Sequence, residues 1–333
     1  TDRLPRAIVV GRNLETLTDD TFDDIVIPDP SPELVNALAP KLNKNGSMFL
    51  LGNPEYNDWV TLDAGSIHYE NKRFLGGGDT LDELAAVNKR NDLVPAGNAL
   101  FIGAGGPMGQ MHVQRALEKS DGPARVVVTD LDRARLDHIE RSFKGLVDAR
   151  DVELVTLAST DFPSTDAMND QIAKLAPGGY NDIVVLAPVP ALVRQSVLWA
   201  APKAFINVFA GLGIGTTTEI PLEKLCQGVK IIGCSGSRIS DLKRVLELVE
   251  AGELDTNRSV AAIGGLNAAQ EGLKAVKDAR FPGKTVIYTQ IRDLPLLPLD
   301  EAAEKIPELK PKLSPEGAWT KEAEDTLMEK FLQ

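Results

Sequence analysis

The segment Ala99-Leu-Phe-Ile-Gly-Ala-Gly-Gly-Pro-Met-Gly-Gln-Met-His112 constrains the fold more than any other part of this chain. A short apolar run, Ala99 to Ile102, enters a cluster of glycines at Gly103, Gly105, Gly106 and Gly109. A helical pattern follows from Gln110 to Lys119, and Arg125-Val-Val-Val-Thr-Asp130 is a second strand-like run that ends in an acid. Strand, glycine turn, helix, strand and acid in this order form the pattern of a dinucleotide-binding βαβ unit. Glycines let the backbone turn tightly and approach a pyrophosphate, and the helix N-terminus offers free N–H groups and the positive end of its dipole. Gly103, Ala104, Gly105, Gly106, Pro107, Met108 and Gly109 are therefore the expected pyrophosphate turn. Asp130, 21 residues past Gly109, is the expected ribose ligand, and its charge favours NAD over the 2′-phosphorylated NADP. The cluster is one residue longer than G-x-G-x-x-G. Either Ala104 stands at the first glycine position and Gly106 at the second, or the turn carries an insertion.

The chain also repeats itself. Thr21–Val35 matches Gly179–Val193: each has an aromatic, an Asp, an apolar triplet and then alternating prolines that open a helix. Met48–Gly52 matches Ile206–Gly211, Phe74–Gly76 matches Ile231–Gly233, and Thr80–Leu84 matches Arg238–Leu242, all at an offset close to 158. Arg6–Gly11 is matched to Arg125–Asp130. The expected fold class is α/β, with two tandem doubly wound Rossmann-type units and a C-terminal extension. The first unit, residues 1–95, is incomplete, entered at its second strand and without a glycine turn. The second, 96–257, is complete and takes the cofactor, and 258–333 closes the chain. Near-continuous apolar strands alternating with helices call for a parallel sheet. Ligands then lie at the carboxyl ends of the strands, which adds Ala187, Pro188, Phe209, Ala210 and Gly211 as the expected nicotinamide side. The last strand of each unit, Lys72–Gly76 and Val229–Gly233, would be an unpaired edge. Pairing the two predicts an internal pseudo-dimer.

Composition excludes several classes. With 36 Lys and Arg against 48 Asp and Glu, the net charge is −12, and no long basic run is present; nucleic acid and anionic membranes are not expected partners. No apolar run approaches 18 residues and no signal-like N-terminus is visible, which reads as a soluble cytoplasmic chain. Cys226 and Cys234 are the only cysteines, too few for a disulfide framework; both are expected to be partly buried thiols.

Gly264-Gly-Leu-Asn-Ala-Ala-Gln-Glu-Gly-Leu273 followed by Phe281-Pro-Gly-Lys-Thr-Val-Ile-Tyr288 resembles the closing signature of the medium-chain dehydrogenase/reductase superfamily. Gly103–His112, Ser66-Ile-His-Tyr69 and Trp319-Thr-Lys-Glu-Ala-Glu324 resemble its zinc-alcohol-dehydrogenase-like branch, which includes L-sorbose-1-phosphate reductase. The resemblance implies NAD-dependent hydride transfer between nicotinamide and a polyol, sugar or sugar-phosphate alcohol or carbonyl. It also implies an N-terminal catalytic domain bearing Cys, His and Glu zinc ligands, and nothing here resembles that domain. His68, His112, His138 and two cysteines form no metal-ligand spacing. No metal site and no catalytic residue are assigned, and zinc is expected only in a domain upstream of Thr1. The alternative is a non-catalytic NAD-binding or scaffold protein made of paired nucleotide folds.

Among single residues, His112 lies on the stripe Gly109, His112, Val113, Ala116 and is expected beneath the glycine turn. His68 falls in the strand-like Ile67–Tyr69, and His138 on a charged, solvated helix. Asn267 with Gln270 reads as a helix cap and its partner. Trp319 and the pattern Ala323, Leu327, Met328, Phe331 read as a docking C-terminal helix.

Overall fold

The computed structural model describes residues 14–52, 58–78, 80–89 and 92–332. The Arg6–Gly11 match lies outside them. In chain order the strands are β1 (Phe22–Pro28), β2 (Leu42–Leu51), β3 (Trp59–Asp63), β4 (Arg73–Gly78), β5 (Asn98–Ile102), β6 (Arg125–Asp130), β7 (Glu153–Ala158), β8 (Tyr180–Val185), β9 (Ala200–Val208), β10 (Thr217–Pro221), β11 (Lys230–Ile232), β12 (Val260–Gly265), β13 (Lys284–Tyr288) and β14 (Leu297–Pro298). The helices are α1 (Pro32–Leu38), α2 (Ala64–Glu70), α3 (Leu81–Lys89), α4 (Pro107–Glu118), α5 (Arg133–Arg150), α6 (Thr165–Leu175), α7 (Pro190–Leu198), α8 (Leu222–Cys226), α9 (Ile239–Glu250), α10 (Ala269–Lys277), α11 (Leu299–Lys305) and α12 (Lys321–Phe331). The architecture is α/β with parallel strands, of the Rossmann type. None of the described helices is long and apolar enough to cross a membrane.

Two compact units divide the chain. One comprises Thr1–Asp92 with Gly178–Gly236, the other Leu93–Pro177 with Ser237–Gln333. The seam falls inside the expected 96–257 domain, because residues 178–236 pair with the first repeat.

In the first unit the strands run β1-β2-β4-β11-β9-β8. Each set of three is parallel, and the sets meet where β4 and β11 pair antiparallel with Phe74 opposite Ile231. β3 and β10 form a second antiparallel pair with Thr61 opposite Glu219. Both meetings place residues of equal rank in the two repeats face to face, which is the mark of a two-fold axis. The contacts beside the axis are reciprocal. A side chain at Gly76 would run into the backbone of Leu225, and one at Gly233 into Ile67 and His68. Glycine at these positions lets each α2 or α8 backbone lie directly on the opposing strand.

Ile67–Tyr69 is helical rather than strand-like. Asp63 caps α2 by accepting from Gly65 N at 2.9 Å and Ser66 N at 3.1 Å, and Asn71 ends it in the left-handed conformation at φ 54°. A short apolar run carries no period long enough to separate the two states, so the cap decides. β9 likewise starts at Ala200, before the apolar core of the run.

In the second unit β5, β6 and β7 form a parallel set in that order. α5 runs to Arg150, where Asp151 turns left-handed at φ 52° and its N–H bonds Val147 O. The closing segment forms a smaller sheet in which β12 pairs parallel with β13 and antiparallel with β14. Its core gathers Ile263, Tyr288, Leu297, Ile306, Trp319, Ala323 and Leu327. Trp319 is 1 % exposed, and its indole N–H donates to Tyr288 Oη at 3.0 Å. α10 begins through a 3-10 turn with Ala268 at the cap position. Asn267 is therefore not the cap; its amide donates to Asp293 Oδ1 at 2.8 Å instead.

Candidate functional site

The glycine turn is built from the buried strand upward. Ala99, Leu100 and Phe101 fix β5 in the core, so the chain must leave the sheet at Ile102 and reverse within a few residues. Gly103 makes the reversal at φ 73°, a conformation that costs L side chains free energy. Its N–H and that of Ala104 both reach Thr129 O at 2.9 Å. Gly109 sits against the Cα, C and O of Ala104, inside any distance a side chain could occupy, which seats α4 on the turn. Gly103 thus takes the tight-turn role and Gly109 the packing role. Five residues separate them where the usual pattern has four, so the turn carries an insertion.

Gly106 is the N-cap of α4 with φ −80° and ψ 171°, without a side-chain cap. A Cβ there would meet nothing within 4 Å. Pro107 follows at the first helical position, where its missing N–H costs nothing. The start of this twelve-residue helix has no side-chain cap, and the Cβ direction at its N-cap is open. Gln110 ties the turn from below, its amide donating to Gly105 O at 3.0 Å and also to Pro282 O.

Asp130 ends β6 beside this turn. Its Oδ2 accepts from Gly105 N at 2.7 Å and its Oδ1 from Asp132 N at 3.1 Å. A carboxylate has about four lone-pair sites, so half its capacity stays open. The next helix adds a group that the pattern reading missed. Arg135 lines a cavity of about 180 Å³ together with Gly106, Pro107, Phe281, Pro282 and Gly283. Its nearest anion is Asp132 Oδ2 at 3.6 Å. A guanidinium, an open helix N-terminus and backbone of the closing segment line one hollow, a setting that suits a phosphate.

Ala187, Pro188, Phe209, Ala210 and Gly211 lie on the other compact unit, just past the carboxyl ends of β8 and β9. Ala210 N donates to Val185 O at 2.8 Å, tying the end of one strand to the loop of the next. Val189 N to Ala187 O at 2.8 Å, Phe209 N to Asn207 O at 3.0 Å and Leu212 N to Ala210 O at 2.9 Å are i to i+2 turns. They turn the loop backbone sharply and leave Gly211 exposed.

The histidines do not all fall where the pattern suggested. His112 is half-buried, and its Nδ1 bonds the carbonyl oxygen of Met108, a residue of the expected turn, at 2.8 Å. It lines an apolar cavity of about 410 Å³ with Met108, Met111, Val245 and Leu254. Burial pulls its pKa below the ordinary imidazole value. His138 is half-buried rather than solvated. It borders a cavity of about 320 Å³ with Ser142, Arg258 and Phe281, and burial and then Arg141 pull its pKa down. Cys226 is buried and its thiol is pushed up to about 12 by burial, whereas Cys234 is exposed. Among the described residues no group of three or more His, Cys, Asp or Glu could hold a metal ion.

Fold and turn together define a Rossmann-type chain with a glycine-rich βαβ crossing. No family model matches it. In sequence it is similar to L-sorbose 1-phosphate reductase of Klebsiella pneumoniae, 30 % identical over 250 residues, 70 % of this chain and 55 % of that protein. It is also similar to mannitol-1-phosphate 5-dehydrogenase of Aliivibrio fischeri, 28 % identical over 250 residues, 70 % of this chain and 56 % of that protein. The chain thus spans about half the length of the curated relatives it matches. Among solved structures, 2R,3R-butanediol dehydrogenase from Bacillus subtilis is similar at 17 % identity and a TM-score of 0.47, over 61 % of this chain and 54 % of that one. The resemblance to the sorbose-phosphate reductase branch, drawn from Gly103–His112, Ser66–Tyr69 and Trp319–Glu324, is thus accompanied by an alignment over 70 % of the chain.

Proposed function

We propose that this chain is the NAD-binding part of an oxidoreductase that moves a hydride between nicotinamide and an alcohol or carbonyl carbon of a polyol, sugar or sugar phosphate. The observation that carries the reading is the open N-cap at Gly106, set between the fixed Asp130 and the Arg135 hollow. In this reading residues Gly103–Gly109 and Arg135 hold the pyrophosphate, and Asp130 uses its open lone pairs on the adenosine ribose. Ala187, Pro188 and Phe209–Gly211 line the nicotinamide side. The cofactor, when bound, supplies the hydride acceptor or donor. The chain's own residues bind and orient it, and the group that polarises the substrate oxygen is not assigned. The substrate class follows from the printed names of the two relatives.

The test is titration of the purified chain with NADH and NADPH, followed by fluorescence, and then a redox assay with sugar and polyol phosphates. Saturable NADH binding tighter than NADPH binding is expected. No saturable binding of NADH would overturn the reading. Binding of NADH by the whole protein with no turnover of any polyol, sugar or sugar phosphate would support the non-catalytic alternative instead.

A further inference from the structure

We propose that Tyr69, a residue of the first repeat, is a binding residue for the nicotinamide group of a dinucleotide at the carboxyl end of β9. The proposal rests on the reading of Phe209–Gly211 as the nicotinamide side.

The argument starts from how α2 is seated. Gly65 packs onto the backbone of Gly213 and Ile214, where no side chain would fit. One turn on, His68 is 7 % exposed, and its Nδ1 donates to Val208 O, at the carboxyl end of β9, across 3.2 Å. The His68 ring stands 6.2 Å from that of Phe209 at 73° and meets Tyr69 edge-on at 4.7 Å and 85°. These contacts leave Tyr69 on the rim. It is 43 % exposed, and its hydroxyl lies where a Cβ on Gly211 would be only 2.8 Å away. A phenol placed against an exposed backbone loop at a strand's carboxyl end is in the position where ligands of such sheets bind. Its hydroxyl both donates and accepts, as the nicotinamide carboxamide does.

The two-fold repeat supplies an internal control. The residue of equal rank in the second repeat is Gln227, whose amide donates back to Glu223 Oε1 of its own helix at 2.7 Å. The aromatic hydroxyl therefore stands at the strand ends of the repeat that carries the glycine turn, and the equivalent place opposite holds a side chain folded onto its helix. The first repeat would thus lend a residue to the strand ends of the second.

The test uses the full chain and two ligands. NADH carries the nicotinamide and ADP-ribose does not. Tyr69→Phe keeps the ring against His68 and removes the hydroxyl; Tyr69→Ala removes both. Tyr69→Phe should raise the Kd for NADH by about 2- to 12-fold, the value of one net hydrogen bond, and leave that for ADP-ribose within about twofold of wild type. Tyr69→Ala should show the same selectivity with a larger NADH effect. Unchanged NADH affinity in Tyr69→Phe would overturn the proposal while leaving the nucleotide reading intact. Equal weakening of both ligands would overturn it too, because the residue would then only hold the loop. Failure of both ligands to bind wild type would refute the nucleotide reading itself, and the proposal with it.

Discussion

Gly106 and Gly109 lie three residues apart and should respond to alanine in opposite ways. At Gly109 the new methyl would fall on the backbone of Ala104, which is itself fully buried. Backbone cannot rotate away as a side-chain tip can, so α4 must move off the turn. Overpacking of this kind costs about 1–3 kcal/mol, and its upper end applies because the three nearest atoms are all main chain. Alanine recovers about 1 kcal/mol of helix propensity, leaving a net loss of about 2 kcal/mol. At 2–4 °C per kcal/mol for a domain of 150–250 residues, Tm should fall by about 4–8 °C. At Gly106 the methyl would enter open space at an extended φ. The poorer N-cap costs about 0.5–1 kcal/mol, and the stiffer unfolded chain returns about as much, so Tm should barely change. That same methyl occupies the space through which a pyrophosphate would approach the helix N-terminus, so Gly106→Ala should lose at least about tenfold in NADH affinity, or 1.4 kcal/mol. Thermal melts and NADH titrations on both variants make the comparison. A Gly106→Ala chain that melts like wild type and binds NADH like wild type would refute the placement of the pyrophosphate at this turn.

Asp130→Ala should weaken NADH binding by about 1–3 kcal/mol through loss of charge-assisted hydrogen bonds and narrow the preference over NADPH; wild type that binds NADPH as tightly as NADH would remove Asp130 from its assigned role. Tyr288→Phe should destabilise the closing segment by about 1–3 kcal/mol, because Trp319 Nε1 is left buried without its acceptor; denaturant melts with unchanged stability would contradict this. His112 and His138 are held below the ordinary value of 6.5 in the folded chain. As pH falls through 6.5 the unfolded chain gains protons that the folded chain refuses, so stability falls with pH there and levels off below the folded values. Melts between pH 8 and 5.5 should show this decline, and a His112→Gln, His138→Gln double variant should flatten it; an unchanged slope in the double variant would show that other groups set it.

The turn and the parallel strands were legible because their causes are local. β5 and β6 are apolar runs bounded by glycine or an acid, and β6 matches its expected bounds residue for residue. The repeat was legible because a nearly constant offset survives divergence of individual residues. What was not legible depends on distant partners. The contact of Gln110 with Pro282 spans 172 positions, so no local pattern marks that residue as a tie beneath the glycine turn. Arg135 sits in a helix that also carries Arg133, Asp137, Glu140 and Arg141. Nothing in the sequence distinguishes the one guanidinium that faces the hollow from those on the solvated face. α2 turned on its cap: Asp63 ends a strand and also accepts from Gly215 N, 152 positions away, at 2.9 Å. That anchor becomes visible only once the two repeats are brought together.

The internal two-fold axis bears on what the first repeat does for the second. β11 is three residues long, and an edge that short offers few backbone groups of its own, yet it lies between β4 and β9 with both sides used. The close approaches that make this possible are paired: Gly76 against Leu225 and Gly233 against Ile67. Each repeat therefore supplies the surface that the other needs. Deleting the first would uncover the edge of β11 and the underside of α8 together and create an aggregation-prone strand. The same contact surface carries His68 and Tyr69 to the end of β9. A repeat retained only as a structural cover needs Gly76 and the α2 backbone, but it has no need of a half-exposed phenol against Gly211. Packing across the axis thus accounts for the glycines, and the proposed ligand-facing role would account for the exposed hydroxyl of Tyr69.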